Sequence, residues 1–337
     1  MSNRIIYVAP DFPQPIGGVR ASYRHVELLT KAGYDAAVWH CGAQVSLEWF
    51  GASAPVLRGM SLSLDRTDLL VLPEAFVFEG VDPAPGCRKA IYNQNHFLTF
   101  VSVSPDRYPR WTPRPAVWVS SLMIRHVVGR LQPALDFASI HDLPYVIDLQ
   151  LFRPAETRRA KIAWMPRKRP NEAALIHGLL LADSRFDGVT LSPIEGLNEV
   201  QTASELGTTS VFIGLSREEG FGLPIAEALA AGCVVVGYPS GGGVELFDAP
   251  GTLALPDSDV LTLVDQVAEI VADPPAEQDR FKSRAWVEQH YSESRLLDRL
   301  IGAIDAARDM PGDAGDAIHP WPQFQRIHGL TGQTAAS

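Results

Sequence analysis

Several things are scarce in this chain of 337 residues, and each scarcity removes a class of protein. Cysteine occurs only at Cys41, Cys87 and Cys233, an odd number at wide spacings in apolar or turn contexts. Neither a disulfide framework nor a zinc cluster is expected. Positive charge is short: 29 Lys and Arg face 39 Asp and Glu, and the net charge of −10 argues against general nucleic-acid binding. No apolar run reaches the roughly 18 residues that a membrane-spanning helix needs. The opening M-S-N-R-I-I-Y-V-A-P lacks the charged leader, apolar core and cleavage site of a secretory signal, so cytoplasmic residence is the default expectation. No short-period repeat occurs. After the first expected strand, Gly17-Gly18 does not supply the G-x-G-x-x-G of a nicotinamide dehydrogenase.

What is present describes a globular α/β protein. Hydrophobic residues make up 46% and charged residues 20%, and the length suffices for two domains with separate cores. Strands are expected at 4–9, 35–40, 68–72, 89–93 and 116–120, with helices at 19–32 and 122–131. A second half reads as strands at 161–165, 188–192, 210–215 and 233–237, with helices at 171–182, 197–205, 224–231, 260–272, 277–290 and 293–308. This alternation predicts parallel sheets. The expected division is a first domain at 1–153, a second at 154–310, and a tail at 311–337 rich in Gly, Pro and polar residues that packs loosely.

Residues 216–236, S-R-E-E-G-F-G-L-P-I-A-E-A-L-A-A-G-C-V-V-V, are the most informative. They join a buried strand to a helix with proline in its first turn, and such turns lie at the carboxyl end of a sheet, where ligands bind. Gly220 and Gly222 strip side chains from either side of Phe221, so backbone N–H groups at the start of the helix, from Leu223 on, can approach a phosphate. Glu227, about one turn into the helix and expected near the cleft and not in the core, offers two acceptor oxygens and no donor, which suits the vicinal hydroxyls of a ribose. Glu219, in the turn, could take hydroxyls of a sugar. The competing reading is a surface helix with ordinary exposed glutamates.

Glu219 and Glu227, separated by seven intervening residues with Phe221-Gly222 among them, resemble the donor-site signature of retaining GT-B glycosyltransferases, specifically glycosyltransferase family 4. Downstream, Gly241-Gly242-Gly243-Val244-Glu245 completes that likeness. Further landmarks of the family follow in order: Gly17-Gly18, the segment I-D-L-Q-L-F-R-P at 147–154, and Tyr291-Ser292. The resemblance spans residues from about 4 to 300. It implies two Rossmann-like parallel-sheet domains facing a central cleft, a nucleoside-diphosphate sugar donor held mainly by the second, and a hydroxyl acceptor (glycan, lipid-linked or small molecule) held by the first. It also implies retention at the anomeric carbon, with no cofactor and no bound metal.

Met165-Pro166-Arg167-Lys168-Arg169-Pro170 ends the first strand of the second half. A departing pyrophosphate needs charge neutralisation, and Arg167 and Lys168 are the candidate catalytic cations, alongside Glu219. The family places an arginine and a lysine here, but often several residues apart, so which of Arg167, Lys168 and Arg169 meets phosphate stays open. A solvated basic turn is the plainer alternative.

In the first half, Gly17 and Gly18 open a helix and can present backbone amides, although glycine pairs are common in loops. Asn95, a candidate helix cap, and His96 follow a strand as candidate sugar or acceptor contacts. Asp257-Ser258-Asp259 could hold a metal, but aspartates before a helix are ordinary caps. Residues 107–135 contain no Asp or Glu, while Arg107, Arg110, Arg114, Arg125 and Arg130 interleave with Tyr108, Trp111 and Trp118. That pattern suits peripheral contact with an anionic membrane or lipid-linked acceptor, unless the tryptophans are core and the arginines are paired. A glycogen-phosphorylase-like enzyme, a sugar-nucleotide epimerase and a non-catalytic sugar-nucleotide-binding partner are the competing readings of the whole chain.

Overall fold

The computed structural model describes residues 3–11, 16–41, 47–59, 62–78, 82–100, 111–131, 139–158 and 160–310. The chain forms two compact units. Unit 1 comprises Met1–Leu47, Gly51–Pro144 and Leu296–Ser337; unit 2 comprises Glu48–Phe50 and Tyr145–Arg295.

Unit 1 holds a seven-stranded sheet in the order β3-β2-β1-β4-β5-β6-β7, every neighbouring pair parallel. Its strands are β1 (Ile5–Val8), β2 (Ala36–His40), β3 (Val56–Arg58), β4 (Leu69–Pro73), β5 (Arg88–Asn93), β6 (Ala116–Val119) and β7 (Ile140–Asp142). The central strands are continuous apolar runs, as sheets covered on both faces require. Ile6, Leu70, Ile91 and Val117 lie in one core with Trp39, Trp111 and, from α2 (Leu122–Leu131), Ile124 and Val128. Ser121 caps α2, its hydroxyl accepting from Ile124 N at 3.3 Å. Helix α1 (Gly17–Lys31) buries Val19, Tyr23, Val26 and Leu29 and is closed by Gly33 at φ +88°.

Unit 2 holds a five-stranded parallel sheet in the order β12-β11-β10-β8-β9: β8 (Lys161–Trp164), β9 (Thr190–Pro193), β10 (Val211–Leu215), β11 (Val234–Tyr238) and β12 (Thr252–Ala254). Between them run α3 (Pro170–Ala182), α4 (Glu199–Thr208) and α5 (Leu223–Ala230), followed by α6 (Val260–Ala272) and α7 (Glu277–Tyr291). Helix α4 starts with a capping box: Asn198 Oδ1 accepts from Gln201 N, and the Gln201 side chain accepts from Asn198 N. Beneath the carboxyl end of α5, Arg158 donates to the carbonyls of Thr209, Gly232 and Ala231.

The expected strands and helices lie within three residues of these elements. Three strands were not anticipated: β3, β7 and β12, each of three residues and each at a sheet edge. The expected domain boundary after residue 153 compares with a crossing after Pro144, and the last helix, α8 (Glu293–Arg308), groups with unit 1 apart from its first turn. Leu296, Leu300, Ala303, Ile304 and Ala307 are buried along α8, and Arg308 donates to Asn3 O at 2.9 Å. Only packing between chain ends reveals that return. The tail at 311–337 lies outside the described residues.

One buried group sets a pH dependence for unit 1. His25, on α1, is 1% exposed, 3.1 Å from the Tyr7 hydroxyl through Nδ1 and packed on the Tyr92 ring. Burial lowers its imidazole from 6.5 to about 3. Between those values the unfolded chain takes up a proton that the folded protein refuses. The stabilisation is therefore complete above pH 6.5 and is lost as pH falls toward 3. Lowering the pH from 7 to 5 should cost about 2 kcal/mol through this group. Urea titrations at both pH values should show that loss in the wild type and a shallower one in His25→Gln; equal slopes would assign the effect to another group.

Candidate functional site

In a parallel sheet all carboxyl ends share one edge, and ligands favour the point where strand order reverses. In unit 2 the chain passes from β8 outward to β9 and then returns to β10 on the other side, so the reversal lies between β8 and β10. Two anticipated groups meet there. Lys168 closes a 3-10 turn (Pro166–Lys168) after β8, Glu219 lies in the loop after β10, and Lys168 Nζ is 3.4 Å from Glu219 Oε1. Both side chains keep partial exposure, at 30% and 20%, so the pair is reachable from solvent.

The three cations of the turn have separate surroundings. Arg167 is exposed. Arg169 is 8% exposed and occupied within the fold: Nε donates to Ser216 O at 3.0 Å, Nη1 to Glu172 Oε2 at 2.9 Å and Ser258 Oγ at 3.2 Å, and Nη2 pairs with Asp257. Its guanidinium also lies 5.0 Å from the Tyr238 ring centroid. Asp257 thus serves the arginine, while Asp259 caps α6 by accepting from Thr262 N at 3.3 Å. Among the described residues no three His, Cys, Asp or Glu side chains gather as a metal site.

Loop 216–222 is shaped by close backbone contact with a second 3-10 turn, Gly241–Asp248. Gly242 N donates to Glu219 O at 2.8 Å, and a Cβ on Gly242 would fall 1.5 Å from Gly220 O, so no other residue fits. Gly222 sits at φ +95° directly before α5, and Glu218 takes the left-handed φ of +53° without being glycine. Phe221 turns inward: its ring is 1% exposed, 5.1 Å from Tyr145 and 5.0 Å from Tyr291. Leu223 is half-buried at the helix start. Glu227 is 4% exposed, which corrects the expectation that it lies outside the core, because α5 is buried along nearly its whole length.

Unit 1 has its own reversal, between β1 and β4. Gly17 and Gly18 begin α1 there. Gly18 O accepts from Gln94 Nε2 at 3.1 Å, and Gln94 N donates to Glu74 Oε2 at 3.1 Å. Glu74, directly after β4, escaped the sequence reading, although a carboxylate ending an apolar strand was a usable signal. Burial pushes its carboxyl up to about 7. Among the described residues Asn95 opens a turn and not a helix, its Oδ1 accepting from Phe97 N at 3.0 Å. His96 is half-buried against the Phe97 ring, and burial lowers its pKa.

In the Arg- and Trp-rich stretch Arg114 and Arg130 are exposed, but both of its tryptophans are buried. Trp118 is fully buried on β6, Trp111 belongs to the unit 1 core, and Arg125 pairs with Asp142 at 2.7 Å. Arg107, Tyr108 and Arg110 lie outside the described residues, as does part of the loop before Gly17. No helix among the described residues is long and apolar enough to cross a membrane.

Residues 192–286 match the family model described as "Glycosyl transferases group 1". An alpha-1,6-glucosyltransferase of Actinobacillus pleuropneumoniae serotype 7 (strain AP76) is 26% identical over 232 residues, covering 66% of this chain and 68% of that protein. A glycosyltransferase from Rickettsia africae ESF-5 superposes with a TM-score of 0.66 at 14% identity, over 91% of this chain and 99% of that one. A TarM mutant of S. aureus, in complex with Fondaparinux, alpha-GlcNAc-glycerol and UDP, gives a TM-score of 0.54 at 13% identity; 72% of this chain is covered, and it spans 56% of that chain. The fold is GT-B, and the chain is a glycosyltransferase.

The separate surroundings of the cations are testable. Arg169→Met removes hydrogen bonds from a buried guanidinium and should lower the stability of unit 2 by about 1.5–3 kcal/mol. Arg167→Ala, on an exposed side chain, should change it by less than about 0.5 kcal/mol. Urea midpoints of the two variants would check this; equal values would remove Arg169 from the scaffold.

Proposed function

We propose that this glycosyltransferase uses a nucleoside-diphosphate sugar as donor and a glycan hydroxyl as acceptor, with retention of anomeric configuration, in the manner of family 4. The 3.4 Å approach of Lys168 to Glu219 at the strand-order reversal of unit 2 carries this reading. It places a candidate phosphate cation beside a candidate sugar carboxylate, from positions 51 apart in sequence. The neighbours' names support a nucleotide and a glycan: one was solved with UDP and alpha-GlcNAc-glycerol, and the curated relative is a glucosyltransferase.

In this reading Glu227 accepts from the ribose hydroxyls, Glu219 from the sugar, and the backbone from Gly220 to Leu223 lies along the diphosphate. Arg167 and Lys168 neutralise the leaving group, since Arg169 is engaged elsewhere. Gly17 and Gly18 offer amides from unit 1, and Asn95 and His96 contact sugar or acceptor. The bond from C1 to the diphosphate oxygen breaks, the bond from C1 to the acceptor oxygen forms on the same face, and the departing phosphate takes the acceptor proton. Charge on that phosphate grows toward the transition state, so the cations act mainly there.

The direct test incubates UDP-, GDP-, dTDP- and ADP-sugars with glycan acceptors and measures nucleotide release and product configuration. Release with retention is expected; an inverted product would remove the retaining mechanism, and no release from any donor would remove the donor class. Glu227→Ala should lower kcat/KM by about 10²–10⁴, as expected for two charge-assisted hydrogen bonds of about 1.5–3 kcal/mol each. Unchanged nucleotide affinity in that variant would exclude ribose contact.

Replacing both Arg167 and Lys168 with alanine should lower turnover more than donor affinity. Steady-state kinetics beside nucleotide titration separate the two, and loss of affinity alone would confine these cations to ground-state binding.

A further inference from the structure

Tyr291 ends α7, far in sequence from the loop at 216–222, yet it touches both halves of the candidate donor site. Its ring meets Phe221 edge-on at 5.0 Å and an interplanar angle of 83°, and its hydroxyl donates to Glu245 Oε1 at 3.2 Å. Its backbone oxygen accepts from Ile147 N at 3.0 Å, beside Tyr145, whose ring covers Phe221 at 5.1 Å. Trp286, one turn back on α7, braces Tyr291 from behind at 5.6 Å. The two backbone segments joined by Gly242 N and Glu219 O are therefore both fastened to one side chain, 6% exposed.

We infer that Tyr291 is a positioning residue for the donor loop, holding 216–222 through Phe221 and 241–248 through Glu245 in one binding-competent arrangement. Glu218 at φ +53° shows why a fastening is needed. A non-glycine left-handed residue costs free energy and persists only where its surroundings over-determine the backbone. Ring contact with two tyrosines and the hydrogen bond to Gly242 supply that determination. Tyr291 need not touch the donor, and its effect reaches the donor through Phe221 and Glu245. The inference rests on the reading of residues 216–227 as the donor site.

Hydrogen–deuterium exchange on the unliganded full chain tests the fastening without any ligand. In Tyr291→Leu, peptides covering 216–223 and 241–248 should both exchange about tenfold faster than in the wild type; in Tyr291→Phe, which keeps the ring, only 241–248 should. Glu245→Gln, in a chain that keeps Tyr291, leaves an acceptor oxygen for the tyrosine hydroxyl and should retain most of the protection that Tyr291→Phe loses. Tyr291→Phe should also raise the donor KM severalfold with a smaller change in kcat, whereas a purely structural tyrosine would lower the urea midpoint and leave KM unaltered. Wild-type exchange at 216–223 in Tyr291→Leu overturns the inference. If that variant does not fold, wild-type exchange at 241–248 in Tyr291→Phe overturns it instead. Titrating Glu227→Gln with UDP, GDP, dTDP and ADP separates the two claims. Wild-type affinity there, with faster loop exchange in the Tyr291 variants, keeps the fastening and discards the donor site. Lost affinity there, with unchanged exchange in the Tyr291 variants, does the reverse.

Discussion

The candidate site of unit 2 depends on two stretches of backbone that touch with no side chain between them. A Cβ on Gly242 would overlap Gly220 O, and this contact lets Gly242 N reach Glu219 O. From it follow the direction of the loop after β10, the start of α5 at Gly222 and the presentation of Glu219 toward Lys168. Residues that look unrelated in sequence serve the same contact. Arg169 holds the entry of the loop at Ser216, and Phe221 anchors its exit among aromatic rings. The loop is therefore a fitted part of the unit and not a flexible connector.

Both units repeat one arrangement. Each places a glycine-led helix after a central strand at a reversal of strand order, and each sets an acidic residue beside it: Glu74 near Gly18 through Gln94, and Glu219 near Gly222. Their electrostatics differ. Glu74 is buried and its carboxyl is pushed up to about 7, whereas Glu219 keeps some solvent and a lysine partner.

Legibility in the sequence followed burial and range. Central strands such as 69–73 and 211–215 are unbroken apolar runs and were visible; β3, β7 and β12 are short, half-exposed edges whose identity comes only from their neighbours. The string from Glu219 to Glu227 marked its loop because the glycines and carboxylates are contiguous. The division of labour among Arg167, Lys168 and Arg169 was not visible, because it depends on Ser216, Glu172 and Asp257, and two of these are more than 40 positions away. Tyr291 was marked by family likeness, but its contacts with Phe221 and Glu245 depend on tertiary packing. The tryptophans at 111 and 118 invited a surface reading because aromatic residues beside arginines look alike in sequence whether they face solvent or core.

The return of α8 to unit 1 makes unit 2, in covalent terms, an insertion within it. Synthesis runs from the amino terminus, and domains generally fold as soon as their parts have emerged. Unit 2 has its whole sheet once β12 is made at residue 254, whereas unit 1 waits until residue 308 for the helix carrying Leu296, Leu300 and Ile304. The half of the chain begun first is thus the last to be completed, and until then the surface awaiting α8 stays uncovered.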